Sequence, residues 1–421
     1  MSRSAALAAY LAISQLAGPL ASTILRRRLN RGKEDPLRVK ERLGNPSLAR
    51  PQGRLVWLHG ASIGEAMSMQ PLIHAILGAS DATALVTTGT VTSARRVATV
   101  LPPRAIHQYV PVDTASAVRR FLDHWRPDLA VWVESELWPA LVHQTAERTI
   151  PMALVNARLS ARSAARWKRA PMMARSLLGA FRIVSAQDGE TVARLRDLGI
   201  DAAQGGNLKA VIDVPPCDAA VLAEACNAVG DRPVWLAAST HPEDDAVVLG
   251  ALERMTPDVL CILAPRHPDR KARIVEMLNA ASLSCALRSE GEFPGVKTRV
   301  WLADTLGEMG LWYRLAPVSL IGGGFGSQGG HSPFEGILLG SALLHGPDTA
   351  NFAPVYRALE NCAGSTSVTD GADLAKQVMT LLDDPELRES RVRNASAAHQ
   401  AMRPDPNALA RELLALMEHP G

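Results

Sequence analysis

Residues 54–65 read RLVWLHGASIGE. The run Arg54–Leu58 is apolar and too short for a helix, so it reads as a buried strand. Gly60, Ala61, Ser62 and Gly64 are small turn formers. Glu65 opens an amphipathic stretch that continues to Leu77. The unit is strand, tight turn, helix. Working outward, the same step recurs. Ala84–Thr87 precedes Ser93–Val100, and Leu129–Val133 precedes Pro139–Glu147, with further strands at Met152–Val155 and Arg182–Ser185. After the Gly/Pro-containing segment 205–216 a second series begins. Val234–Ala237 leads to Glu243–Met255, Leu260–Ala264 to Arg270–Ala280, and Val318–Ile321 to Pro333–Leu339, with a last strand at Ala342–His345. Alternating strands and helices predict parallel sheets covered on both faces. Two series predict an α/β protein of two Rossmann-like domains facing a cleft, with ligands beyond the carboxyl ends of the strands.

Composition bounds this reading. The chain has 421 residues, 47% hydrophobic and 21% charged. That fits about two to three globular domains and excludes a disordered chain, a collagen-like fibre and a polytopic membrane protein. Aromatic residues are only 4%, so the core must be mostly Ala, Leu, Val and Ile. The 45 basic and 42 acidic residues leave a net +3, which gives no reason to expect nucleic acid as a partner. Five scattered cysteines without a CxxC pair argue against a disulfide framework or a structural zinc site.

The N-terminus reads as a membrane anchor. Ser4 to Leu25 carries no charge; as one helix it would span about 33 Å, near the thickness of the hydrocarbon layer. Eight basic and three acidic residues follow between positions 26 and 42. Basic residues after the apolar run, with only Arg3 before it, speak against a cleaved signal peptide and put the body on the cytoplasmic side. The basic segment is expected to hold the body against anionic lipid. Gln15, Gly18 and Pro19 weaken the span and leave a shallow or re-entrant anchor open. The expected boundaries are 1–28 for the anchor, 29–212 for the first domain and 213–421 for the second, whose last helix can pack back on the first.

The polar clusters fall just after the strands. In His59–Glu65 the carboxylate at a helix start is favoured by the helix dipole, which should keep it ionised; Ser62 and Glu65 equally fit a capping box. Glu134 and Glu136 follow the next strand as paired acids, or as helix-start chemistry before Pro139. Arg158, Arg162 and Arg166 are four apart and would share a helix face able to grip phosphate, or to be solvated. Gly206–Lys209 offers a lysine at the domain boundary, or a polar linker. Ser239–His241 and Pro265–Pro268 end neighbouring strands with hydroxyls, Arg266 and imidazoles, which suggests a phosphate site. Residues 322–335 form a glycine-rich strand-to-helix turn whose backbone amides could bind phosphate, with Glu335 able to accept from ribose hydroxyls. This turn is neither a phosphate loop for ATP nor the dinucleotide fingerprint. No D-x-D motif for a metal is present, and Asp244-Asp245, inside a helix, is expected to be solvated surface.

Taken in order, HGASIGE (59–65), ESELWP (134–139), VNARLSARS (155–163), GNLK (206–209), ASTH (238–241), PRHP (265–268), DTLGEMG (304–310) and GGHSPFE (329–335) resemble the 3-deoxy-D-manno-octulosonic acid (Kdo) transferases, glycosyltransferase family 30, over nearly the whole chain. The resemblance implies a GT-B fold with an N-terminal membrane-anchor helix. It implies transfer of Kdo from CMP-Kdo to the 6′-hydroxyl of a tetraacylated lipid A precursor, in lipopolysaccharide core biosynthesis at the cytoplasmic side of the inner membrane. It implies Glu65 as general base, Glu136 and Lys209 as stabilisers of the transition state, and no metal or other cofactor. CMP contacts would fall on Pro265, Arg266, Leu306, Gly307, Glu308, Ser332, Pro333, Phe334 and Glu335. Ser332 stands where the family commonly has Asn, which keeps a hydroxyl but loses the reach of an amide. The rival readings are another GT-B transferase using a UDP- or ADP-sugar, and a membrane-tethered binding protein without turnover.

Overall fold

The computed structural model describes residues 4–134 and 137–418. The chain forms two compact units, one of residues 1–211 with 402–421 and one of residues 212–401. Each is built on a parallel seven-stranded sheet. In the first unit the strands are β1 (Leu55–His59), β2 (Thr83–Thr88), β3 (Ala105–Tyr109), β4 (Leu129–Val133), β5 (Met152–Ala157), β6 (Ile183–Ala186) and β7 (Ala203–Gln204), in the order β3-β2-β1-β4-β5-β6-β7. The second unit has β8 (Val234–Thr240), β9 (Leu260–Pro265), β10 (Cys285–Leu287), β11 (Val300–Leu302), β12 (Val318–Ile321), β13 (Ala342–His345) and β14 (Ser365–Ser367). Their order is β10-β11-β9-β8-β12-β13-β14.

The central strands are buried along their length, as strands covered on both faces must be. Four strands carry a tryptophan, Trp57 in β1, Trp132 in β4, Trp235 in β8 and Trp301 in β11, and all four are fully buried. Trp57 and Trp132 lie 4.8 Å apart and tilted across the β1–β4 pair. These few large rings fill space that an aliphatic core of this composition could not.

The strand order reverses between β1 and β4 in the first sheet and between β8 and β12 in the second, where β10 and β11 are also exchanged at the far edge. Crossovers on either side of such a point leave in opposite directions and open a crevice at the carboxyl edge. The turn carrying Glu65 follows β1, and Glu134 follows β4. His241 follows β8, and the glycine-rich turn follows β12.

The N-terminus departs from the expectation of one spanning helix. Residues 5–30 form two helices, α1 (Ala5–Leu16) and α2 (Gly18–Asn30), bent by 66° at Ala17. No single helix among the described residues is long and apolar enough to cross a membrane. Gly18 and Pro19 start the second helix in a new direction, Pro19 sitting where a missing N–H costs nothing. Moreover α1 is tied to the first unit. Leu7 and Ser14 are buried, Leu11 packs on the core, and the Tyr10 hydroxyl donates to Asp113 Oδ2 at 2.8 Å.

The basic segment is partly inward-facing as well. Arg28 donates to Glu34 at 2.6 Å, Arg38 makes a two-pronged bond to Glu41 at 2.9 Å, and Arg42 is buried beside Glu34. Glu41 in turn accepts from the Tyr109 amide at the edge of the sheet. Arg26, Arg27, Arg31, Lys33 and Lys40 are exposed.

Two histidines are enclosed in this unit. His59 shares a 2.9 Å bond with Thr87 Oγ1, and His107 one with Thr88 Oγ1. Burial pushes His59 down to about 4 and His107 to about 3, so both are neutral in the folded protein. Unfolded, both titrate near 6.5. Below that value the unfolded chain binds more protons, and stability falls as pH falls toward the folded values. Each should remove about 1.4 kcal/mol per pH unit in that window. The thermal midpoint should therefore drop between about pH 7 and about pH 4.5, and His107→Gln should flatten the drop. An equal drop in the variant would show that His107 carries none of the acid sensitivity.

Candidate active site

At the carboxyl edge of the first sheet, β1 ends in His59 and the chain turns through Gly60. A Cβ on Gly60 would come within 3.0 Å of Glu65 Cβ and Met69 Cε, so only glycine lets helix α3 (Ile63–Ser68) fold back so closely. Ser62 caps that helix and accepts from the Glu65 amide at 3.3 Å. Glu65 Oε2 accepts from the Ala61 amide at 2.6 Å and Oε1 from the Ser62 hydroxyl at 2.9 Å. The capping box is therefore real, and it also fixes the orientation of a carboxylate that is 7% exposed. The two readings of this motif are compatible, since a base must be held in one rotamer.

Beyond β4, Glu134 adopts a left-handed backbone (φ 64°), and its carboxylate meets Lys209 Nζ at 2.5 Å. Lys209 lies in a short 3-10 turn, Leu208–Ala210, against which α3 packs. Two asparagines shape that turn. Asn207 Oδ1 accepts from the Lys209 amide at 3.0 Å, and Asn156 Oδ1 accepts from the Leu208 amide at 2.9 Å. Asn156, at the end of β5, is itself left-handed (φ 54°) and buried. Glu65 and Lys209 are thus brought to one edge. Glu136 lies outside the described residues. The shared helical face for Arg158, Arg162 and Arg166 does not form, because Ser160 caps the helix Ala161–Trp167 and Arg158 precedes it. Arg158 and Arg166 instead border a cavity of about 360 Å³ whose other walls include Leu137, Leu154, Trp167 and Leu195.

In the second unit the residues expected to meet a nucleotide follow β11, β9 and β12, with β8 between the last two, at one edge of the sheet. Leu306 is 80% exposed after β11, Gly307 takes φ 88°, and Glu308 is held by Arg288 at 2.7–3.2 Å. After β9 the Arg266 amide donates to Thr240 O at 3.0 Å. His241 Nε2 and His331 Nε2 are 2.9 Å apart with rings nearly parallel, and His267 stands edge-on to His241 at 5.7 Å. Burial, helped by His241 and Arg266, pushes His331 down to about 4. Burial raises Glu335, which Arg266 opposes.

The helix after the glycine-rich turn is short, Phe334–Leu338. The Ser332 hydroxyl accepts from the Phe334 amide at 3.4 Å, so it is already engaged in the turn. Phe334 is fully buried against Phe352 and His399. Any ligand contact at that position uses its backbone.

The expectation that Asp244-Asp245 is solvated surface is overturned. Asp244 is 0% and Asp245 2% exposed. Asp245 pairs with Arg270, which also donates to Thr240 O, and Asp244 caps the turn at His241. Two acids in a helix look solvated when helix position is ignored; the signal was their place in the first turn after a strand end.

Residues 37–212 match the family model described as 3-deoxy-D-manno-octulosonic-acid transferase. The Kdo transferase of Rickettsia bellii is 32% identical over 385 residues, 90% of this chain and 92% of that protein. The chain belongs to the Kdo transferase family. It is therefore a glycosyltransferase. The Kdo transferase fold is shared with solved structures of low identity. UDP-GlcNAc 2-epimerase from Neisseria meningitidis has a TM-score of 0.59 at 15% identity, covering 86% of this chain and all of that one. A glycosyltransferase from Rickettsia africae has 0.56 at 11%, covering 87% and 98%. The two parallel-sheet units are those of a GT-B glycosyltransferase.

The clip from Asn156 to Leu208 is testable in this Kdo transferase scaffold. Asn156→Ala should cost about 1–3 kcal/mol by stranding a buried amide, with additional strain at φ 54°. Asn156→Gly relieves the strain but not the lost bond, so it should recover only part of the loss in thermal unfolding. Full recovery by glycine would show that Asn156 supplies backbone conformation and not the clip.

Proposed function

We propose that this glycosyltransferase moves Kdo from CMP-Kdo to the 6′-hydroxyl of a tetraacylated lipid A precursor, an early step of lipopolysaccharide assembly. The observation that carries the reading is the Glu65 carboxylate, locked by its own turn at the switch point of the first sheet beside the Lys209 turn. Glu65 takes the proton of the acceptor hydroxyl as its oxygen bonds to the anomeric carbon of Kdo. The bond from that carbon to the phosphate oxygen breaks, and CMP leaves with the electron pair. Arg266 and the histidines after β8, β9 and β12 offer charge and donors to the departing phosphate, and Glu335 accepts from the ribose. Lys209, oriented by Glu134, and Glu136 stabilise charge in the transition state. The absence of a D-x-D motif supports a reaction without a metal.

An acylated acceptor suits the first unit. The cavity beside Arg158 and Arg166 has apolar walls for a chain and two guanidinium groups for phosphate. The reaction is tested by product mass after incubation with the tetraacylated acceptor and CMP-Kdo generated in situ, with EDTA present. The wild type should add one or more Kdo masses, and Glu65→Gln should lose about 10²-fold or more in rate. No product from folded wild type, or displacement of bound CMP by UDP or ADP at lower concentration, would reject the donor assignment.

The membrane contact is proposed as docking in the interface at the cytoplasmic face of the inner membrane. The side of α1 and α2 away from the body exposes Ile13, Leu16, Leu20 and Ile24, and Arg26, Arg27, Arg31 and Lys33 follow directly. An apolar face bordered by cations fits an anionic bilayer surface. Leu16→Glu with Leu20→Glu should abolish co-flotation with vesicles of phosphatidylethanolamine and phosphatidylglycerol. Undiminished flotation would reject this face as the contact.

A further inference from the structure

Asp244 is fully buried, and no ion pair to it is found among the described residues. Its charge is met by backbone amides from two distant segments. Oδ2 accepts from the His241 amide at 2.7 Å and from the Gly323 amide at 2.7 Å, and Oδ1 accepts from the Phe325 amide at 3.3 Å. The first belongs to the exit of β8 and the other two to the glycine-rich turn after β12. Charge-assisted bonds of this kind are about twice as strong as neutral ones.

The chain of contacts continues from there. Gly323 O accepts from the Gly330 amide at 2.8 Å, and Gly322 O accepts from the His331 amide at 3.1 Å. The His331 ring lies over Gly323, where a Cβ would come within 3.1 Å of it, and Gly323 needs its left-handed φ of 79°. Gly322 has no room for a side chain either, because a Cβ would sit 2.6 Å from Ser239 O. Asp244 therefore fixes Gly323, Gly323 fixes Gly330, the adjoining Gly322 holds the backbone of His331, and His331 meets His241, whose own amide is bonded to Asp244. Two amides of the glycine-rich turn are spent on this carboxylate and are not offered to phosphate.

We propose that Asp244 is a positioning residue for donor binding, clamping the glycine-rich turn to the exit of β8 and so setting the His241–His331 pair and the segment Ser332–Glu335. This rests on the reading of that edge as the donor site. The test has two arms on the full-length enzyme. In the first, hydrogen exchange of Asp244→Asn is compared with wild type. Amides of residues 322–331 should exchange faster while β8 and β12 stay protected. In the second, initial rates are measured with donor and acceptor varied separately. Asp244→Asn should raise the donor KM about tenfold or more and leave the acceptor KM unchanged. Ser319→Ala serves as the structural control, because Ser319 lies on β12 and the change removes its buried 2.6 Å bond to Ser341, just before β13, and should leave both KM values as they are.

Should Asp244→Asn not fold, Asp244→Glu keeps the charge but displaces it and carries the same comparison. Unchanged exchange in the turn, an unchanged donor KM, or an equal rise in the acceptor KM overturns the proposal. The donor-site reading is judged separately by CMP binding to wild type and Arg266→Ala. Equal CMP affinity in the two removes the donor site from this edge. Faster exchange alongside that result would leave Asp244 as a clamp of the turn with no role in donor binding, which also overturns the proposal as stated.

Discussion

Parallel pairing is the constraint on which the rest of this protein depends. In a parallel sheet every strand delivers its exit loop to the same edge, and where strand order reverses, two adjacent exits diverge and leave a crevice. Both sheets obey this. β1 and β4 carry Glu65 and Glu134 to one such point, and β8 and β12 carry His241 and the glycine-rich turn to the other. The chemistry is crowded there because the geometry offers few other places where loops from separate parts of the chain converge. Some backbone strain also falls at strand ends of this edge. Glu134, Asn156 and Ser239 are all left-handed without being glycine (φ 64°, 54° and 57°). Such conformations persist where surrounding contacts over-determine them, as the clip from Asn156 to Leu208 illustrates.

Much of this was legible from residue order. The step from Arg54–Leu58 through small residues to Glu65 can hardly be anything but strand, turn and helix, and its repetition implies the two parallel sheets. The acids and glycines at strand ends could be picked out because turn chemistry is local. What escaped was non-local or depended on which face a residue occupies. Nothing near Glu134 announces a partner 75 positions later, and nothing near Asp244 announces amides at Gly323 and Phe325. The docking of the N-terminal helix on the body escaped for the same reason. Hydropathy averages over a window and cannot see that Leu7, Tyr10, Leu11 and Ser14 fall on one side of a helix that docks on the body.

Charge is handled the same way in both units, by commitment to the fold before any ligand arrives. Glu41 holds the Tyr109 amide while paired with Arg38. Asp113 accepts from Ala140 and Leu141 as well as Tyr10. Asp245 and Arg270 bind the exit of β8. A net charge near zero therefore hides a directed arrangement in which buried acids are spent on backbone amides and arginines. The exposed cations that remain on α2 and just beyond are correspondingly local.

The second unit is an insertion, since the chain leaves the first unit at Val211 and returns to it at Met402. The returning helix Pro406–Glu418 packs on the helix Gln70–Ala79, placing Ala410 and Leu413 in the core formed by β1, β4 and β5. The Met402 carbonyl also accepts from the Asn207 amide, beside the Lys209 turn. During synthesis, then, the first unit must wait with an uncovered apolar face until the helix Pro406–Glu418 has left the ribosome. By that time the second unit, complete at Ala401, has everything it needs to fold. The unit that begins first is completed after the one inserted in it, and loss of the helix Pro406–Glu418 would injure a unit whose strands lie far earlier in the chain.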